Sequence, residues 1–248
     1  LARVVTERRV AGLPRLLRVY RALVASWPWQ DLADAYESRA DASEWIRAKV
    51  AAFRAQVETS VTSRGLVTEI DRSAVATEQG AAFDVGRALR ELGLPRLPTV
   101  DLSDLVTRRR VAAFRRENLK LIRTLARSEV ASLRDLLVDA ERRGARVETV
   151  RREIQDRLGV ARRHADLLAR DQTLKLSGQV TKARQTQSGI RRYKWSTSRD
   201  ERVRPRHAEL DGQIFEWSGD GPITDAKGNR HHPGGDFQCR CVAIPVLD

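Results

Sequence analysis

Residues 113–144 read AFRRENLKLIRTLARSEVASLRDLLVDAERRG. Phe114, Leu121, Ile122, Leu125, Leu133, Leu136 and Leu137 recur there at helical steps. Such spacing puts one apolar stripe on a long helix and cannot serve an alternating strand. Gly144 follows Arg142 and Arg143, a helix stop after a basic last turn. The same texture fills residues 1 to about 190. ASEWIRAKVAAFRAQVETSV and EQGAAFDVGRALRELG read as helices upstream, and VETVRREIQDRLG as a short helix downstream. ARRHADLLARDQTLKLSGQVTKARQ reads as another, with Leu167, Leu168, Leu174 and Leu176 apolar. LGLPRLPTVDLSD, residues 92–104, carries two prolines and reads as a linker.

Charge follows this division. The 248 residues carry a formal net charge of +13, of which residues 191–248 hold only +1. An excess of this size suits an anionic partner: nucleic acid, a membrane surface or an acidic protein face. No run of about 18 apolar residues is present to cross a bilayer, and no membrane partner is expected. Arg108, Arg109, Arg110, Arg115, Arg116 and Arg123 crowd one helical stretch. They read as contacts that neutralise phosphates without reading bases, or as an ordinary solvated helix face. No recognition helix or zinc-finger spacing supports a sequence-specific regulator.

After Gly189 the pattern changes. RRYKWSTS, QIFEW and CVAIPV read as strands, with Pro245 favouring an edge position for the last. Ser198 or Asp200 is placed to cap a short helix over ERVRPRHAEL, and Asp211–Gly212 reads as a turn. SGDGPITDAKGNRHHPGG reads as a Gly/Pro-rich loop, with His231 and His232 solvated. The expected fold is mainly α with a small C-terminal α+β module. Its divisions are a helical region at 1–105, a basic helical region at 106–190 and the module at 191–248. A module this small needs a metal, a polar clamp or a partner.

The chain's only two cysteines, Cys239 and Cys241, sit in that module one residue apart. So close a pair does not bridge to itself comfortably, and two cysteines make no disulfide framework. With His207 they offer thiolate and imidazole donors to a structural zinc. They read equally as small buried packing residues. A third reading joins His207 and Glu209 to the H-x-E motif of zinc deaminases, but the P-C-x-x-C half is missing. Asp200, Arg202, Arg204, Arg206 and Asp211 lie close to His207 in sequence, and Arg204 with Asp236 is a candidate ion pair.

The order YKWSTSRDERVRPRHAELDGQIF, then a Gly/Pro-rich loop, then HPGGDFQCRCVAIPV resembles the phage Mu F-like minor head proteins, also called phage head morphogenesis proteins. The likeness covers roughly residues 110–248. It implies a non-enzymatic virion protein made in the bacterial cytoplasm and held in the head near the portal. The implied partners are portal protein, other head proteins and packaged double-stranded DNA. Some members of the family carry cysteines at the positions of Arg204 and His207 and a histidine at that of Asp236, and look like zinc binders. In this chain Arg204 and Asp236 replace two of those donors. The implied structural cluster is Trp195, Asp200, Arg204, His207, Asp211, Asp236, Cys239 and Cys241. It is held either by ion pairs and packing without a cofactor, or by zinc on His207, Cys239 and Cys241.

Overall fold

The computed structural model describes residues 10–36, 42–94, 100–101 and 103–247. The fold is mainly helical with a small strand module at its C-terminal end. The helices are α1 (Leu13–Ala25), α2 (Trp29–Ala35), α3 (Ala42–Val61), α4 (Arg64–Glu91), α5 (Leu105–Arg142), α6 (Val147–Gln187) and the single turn α7 (Pro205–Ala208). The strands are β1 (Arg192–Ser196), β2 (Ile214–Glu216), β3 (Ile223–Thr224), β4 (Arg230–His231) and β5 (Val242–Val246). No described helix is long and apolar enough to cross a membrane. Part of the linker read at 92–104, residues 95–99 and 102, lies outside the described residues.

The chain forms two compact units, each assembled from separated stretches. One comprises the described residues of Leu1–Pro14, Asp71–Phe114 and Arg170–Asp248; the other comprises those of Arg15–Ile70 and Arg115–Ala169.

In the second unit the α5 stripe buries Ile122, Leu125, Val130, Leu133 and Leu137. Val150, Ile154, Ala161, Ala165 and Ala169 of α6 are buried in the same unit. Two polar contacts sit inside this apolar packing. The Tyr20 hydroxyl donates to Asn118 Oδ1 at 2.8 Å. Glu129, fully buried, accepts two bonds from Arg157, at 2.6 and 2.7 Å. Helix α5 ends at Gly144, whose φ of 59° lets Ala145 N–H reach back to Ala140 O.

Helix α6 corrects the expectation of two helices. It runs unbroken through Gly159 and Gly178, because a mid-helix glycine costs only about 1 kcal/mol and packing outweighs that. Leu167, expected on the apolar face, is exposed, and the alanines take its place inside.

In the first unit the C-terminal half of α6 is buried on nearly every side. Asp171, Gln172, Thr173, Ser177, Thr181, Arg184 and Gln185 all lie inside. These polar groups hold the strand module. Gln185 accepts the Trp217 indole N–H at 3.0 Å and donates to Ala243 O at 2.9 Å. Asp171 accepts Gln238 N–H at 2.8 Å and Lys175 Nζ at 2.7 Å.

The module's sheet has the order β2-β1-β5, both pairings antiparallel, with Trp195 opposite Ala243 and Tyr193 opposite Pro245. Pro245 thus sits on an edge strand, where its missing N–H is tolerated. Strands β3 and β4 form a separate hairpin. Tyr193, Trp195, Trp217, Ile223, Cys239, Cys241 and Ala243 make the module's core.

Candidate functional site: a buried His–Cys–Cys cluster

The site is built by three short segments. The single turn α7 presents His207, β1 presents Trp195, and the loop before β5 presents both cysteines. The helix is shorter than the sequence pattern suggests. Pro205 takes its first turn and Arg204 stands at the N-cap without a side-chain cap. Neither Ser198 nor Asp200 caps it. Asp200 instead receives both terminal nitrogens of Arg240, one at 2.6 Å, and this pair holds its carboxyl below the usual range.

Arg240 explains the CRC spacing. In the loop at 239–241 the middle side chain leaves the cluster that its two neighbours enter. Cys239 and Cys241 are buried at 2% and 6% exposure, while Arg240 between them faces the other way to reach Asp200.

His207 lies inside, with both ring nitrogens engaged. Its Nδ1 stands 3.6 Å from Cys239 Sγ and 3.5 Å from Cys241 Sγ. Its Nε2 stands 3.1 Å from Asp236 Oδ2, and Arg204 approaches the same oxygen at 2.8 Å. The other oxygen of Asp236 accepts Phe237 N–H at 2.7 Å. Gly234 N–H donates to Cys239 Sγ at 3.4 Å. Trp195 packs edge-on to the imidazole at 5.8 Å. Its buried indole N–H favours the ionised form of Cys241.

The two thiols titrate as a pair. Cys239 is pushed well below the ordinary thiol range by its bond with Cys241, then by His207 and the Gly234 amide, against the effect of burial. Cys241 is pushed up by the same bond to Cys239 and by burial.

The three donor atoms lie within 4.8 Å of one another. The two N-to-S spacings fit three corners of a tetrahedral ion, with no fourth His, Cys, Asp or Glu in the group among the described residues. With Zn–N about 2.1 Å and Zn–S about 2.3 Å, a tetrahedral N-to-S edge is about 3.6 Å. The contact of Nε2 with Asp236 is the carboxylate–histidine arrangement that orients a ligating imidazole. Charge also balances. Two thiolates offset a divalent ion, and Arg204 offsets Asp236. His207, Cys239 and Cys241 would hold the metal; Arg204 and Asp236 would act behind them. The ion would supply folding energy to a module with a small core.

Asp211 stands apart from the metal-fitting trio. It accepts Thr197 N–H at 2.8 Å and Arg199 Nε at 3.2 Å, fixing the turn after β1.

The reading of His231 and His232 as solvated does not hold. His231 Nε2 lies 2.9 Å from Asp225 within the β3–β4 hairpin. His232 stacks near Trp217 at 5.0 Å, with Nδ1 2.8 Å from the Tyr193 hydroxyl and Nε2 3.0 Å from Lys182 Nζ. Tyr193 and Lys182 are remote from His232 in sequence, which hid them from local pattern.

The six arginines separate. Arg108, Arg109 and Arg110 belong to the first unit, and Arg115, Arg116 and Arg123 to the second. Arg110 is committed to the fully buried Glu78, at 2.6 and 3.1 Å. Arg115 is partly buried, whereas Arg108, Arg109, Arg116 and Arg123 are exposed.

Residues 131–244 match the family described as phage Mu protein F like protein. The family points to phage head morphogenesis and to a structural class of protein. A protein of Haemophilus influenzae, described as an uncharacterized protein, is 40% identical over 139 residues. That stretch is 56% of this chain, which spans 30% of the relative. No solved structure matches the chain.

Proposed function

We propose that the chain is a minor head protein of a tailed phage or phage-derived particle, associated with the portal and acting in head assembly, DNA packaging or DNA delivery. The observation that carries this reading is the phage Mu F-like segment, residues 131–244, which contains the whole His207–Cys239–Cys241 cluster. The cluster suits structure better than catalysis. His207 is buried and both its nitrogens already have partners, so it is poorly placed as a proton shuttle. Its job is to tie the chain before β5 to α7 and β1, with zinc as the structural cofactor. Exposed Arg108, Arg109 and Arg116 are available to packaged DNA through phosphates.

The test is made on purified, DNA-filled particles. Mass spectrometry counts this chain per particle, and cryo-electron microscopy locates it. A few to a dozen or so copies at the portal vertex is the expected result. Absence from particles, with soluble protein in the producing cell, would overturn the virion assignment.

A further inference from the structure

In the second unit, a groove separates α3 from the middle and C-terminal parts of α5. Its wider part, about 600 Å³, has Ile46, Val50, Ala51, Ala55 and Val138 among its lining residues. A narrower part of about 240 Å³ shares Arg54 and Glu58 with the first and reaches Val61, Ala126 and Val130. Along α3 the groove therefore extends from Ile46 to Thr62, about 24 Å at the helical rise. That length accommodates a helix of about 16 residues. Ala51 and Ala55 are exposed, and side chains this small let another helix backbone approach closely.

The lining carries an excess of positive charge. Arg47, Arg54, Arg123, Arg127, Arg134 and Arg142 border the groove against only Glu58 and Glu141. Arg134 is paired with its exposed neighbour Asp135. The other five arginines have no carboxylate partner among the described residues.

We infer that this groove docks an acidic amphipathic helix of a partner protein. The helix would lay its apolar stripe on the valines and alanines and its flanking carboxylates against the arginines. This is helix-in-groove recognition with charge complementarity supplying selection. DNA fits less well, because phosphates would meet the arginine rim but leave the apolar floor uncovered. A second copy meeting face to face would oppose arginine rims to each other. The inference stands apart from the head-protein reading, since it rests on α3 and α5 alone.

The test uses the full-length chain and three labelled peptides of about 16 residues in fluorescence anisotropy. The first has leucines at i, i+3, i+4 and i+7 flanked by glutamates. The second permutes the same composition, and the third replaces the glutamates with lysines. The expected result is binding of the first at least tenfold tighter than the other two. Ala51→Glu, at an exposed helical position, is expected to weaken it tenfold or more. Arg54→Glu with Arg134→Glu is expected to shift preference toward the lysine peptide, which misfolding would not do. Equal binding of the first two peptides, or indifference to Ala51→Glu, overturns the proposal. If the first peptide fails while the same variants abolish dimers in sedimentation, or lower duplex-DNA affinity, the groove belongs to a second copy or to DNA instead.

Discussion

Gly178 of α6 and Pro233 approach so closely that a Cβ on the glycine would stand 2.7 Å from the Pro233 carbonyl oxygen. The next neighbour, Gly234, has a φ of 82° and leaves its own Cα 3.4 Å from that Cβ position. Both obstacles are backbone, so neither can swing aside. Gly178→Ala would gain about 1 kcal/mol of helix propensity but lose about 1–3 kcal/mol to overpacking. The expected outcome is a net loss, read as a lower thermal midpoint and faster amide exchange in 233–246. A higher midpoint would show that the loop can retreat.

The Arg157–Glu129 pair gives a second expectation. Glu129 is fully buried, so Arg157→Ala leaves a carboxylate inside without its cation. Breaking one side of such a pair costs about 3–5 kcal/mol. The double variant Glu129→Leu/Arg157→Leu is expected to recover most of that loss, because no charge then remains to be buried. Chemical denaturation of the three proteins decides it. A double variant no better than Arg157→Ala would locate the cost in packing.

Metal content is the third. Purified protein is expected to carry one zinc per chain by elemental mass spectrometry, and Cys239→Ser to reduce both zinc and thermal midpoint. A strong chelator is expected to lower the wild-type midpoint and leave the variant unchanged. Metal-free protein with a chelator-insensitive melt would leave the cluster as a thiol–imidazole packing core.

Acid sensitivity is the fourth. Burial, then the nearby Lys182 charge, pushes His232 down to about 4 from its ordinary 6.5, against the opposing pull of the Gly219 carbonyl. Between those values the unfolded chain binds the proton and the folded chain does not. Stability is therefore full above about pH 6.5, falls as the pH drops toward 4, and levels below. In His232→Gln this component is absent, so its midpoint-against-pH curve is expected to be flatter than wild type across that window. Parallel curves would rule it out.

The helical part was legible because each helix writes its own period. Helix α3 occupies the bounds that its sequence pattern marks, Ala42–Val61. The glycines of α6 misled because propensity is local, whereas α6 is held from outside. Gln185 has partners at 217 and 243, and Asp171 has one at 238; no window of sequence joins them. The cluster could be read further, since His207, Cys239 and Cys241 advertise their chemistry by type. Arg204 meets Asp236 as its charge suggests, whereas the partner of Arg240, Asp200, lies 40 residues away with no local pattern to mark it.

Glu129 and Arg157 also act as an index mark. Much of the buried face of α6 in their unit is alanine, at 161, 165 and 169, and methyl groups tell one turn of a partner helix poorly from the next. A slip of one turn, about 5.4 Å, would keep much of that apolar contact. It would also pull the guanidinium off a carboxylate with no water to turn to. One ion pair thereby makes a repetitive, slippery seam settle in a single alignment, and its loss would be felt as much in uniqueness as in strength.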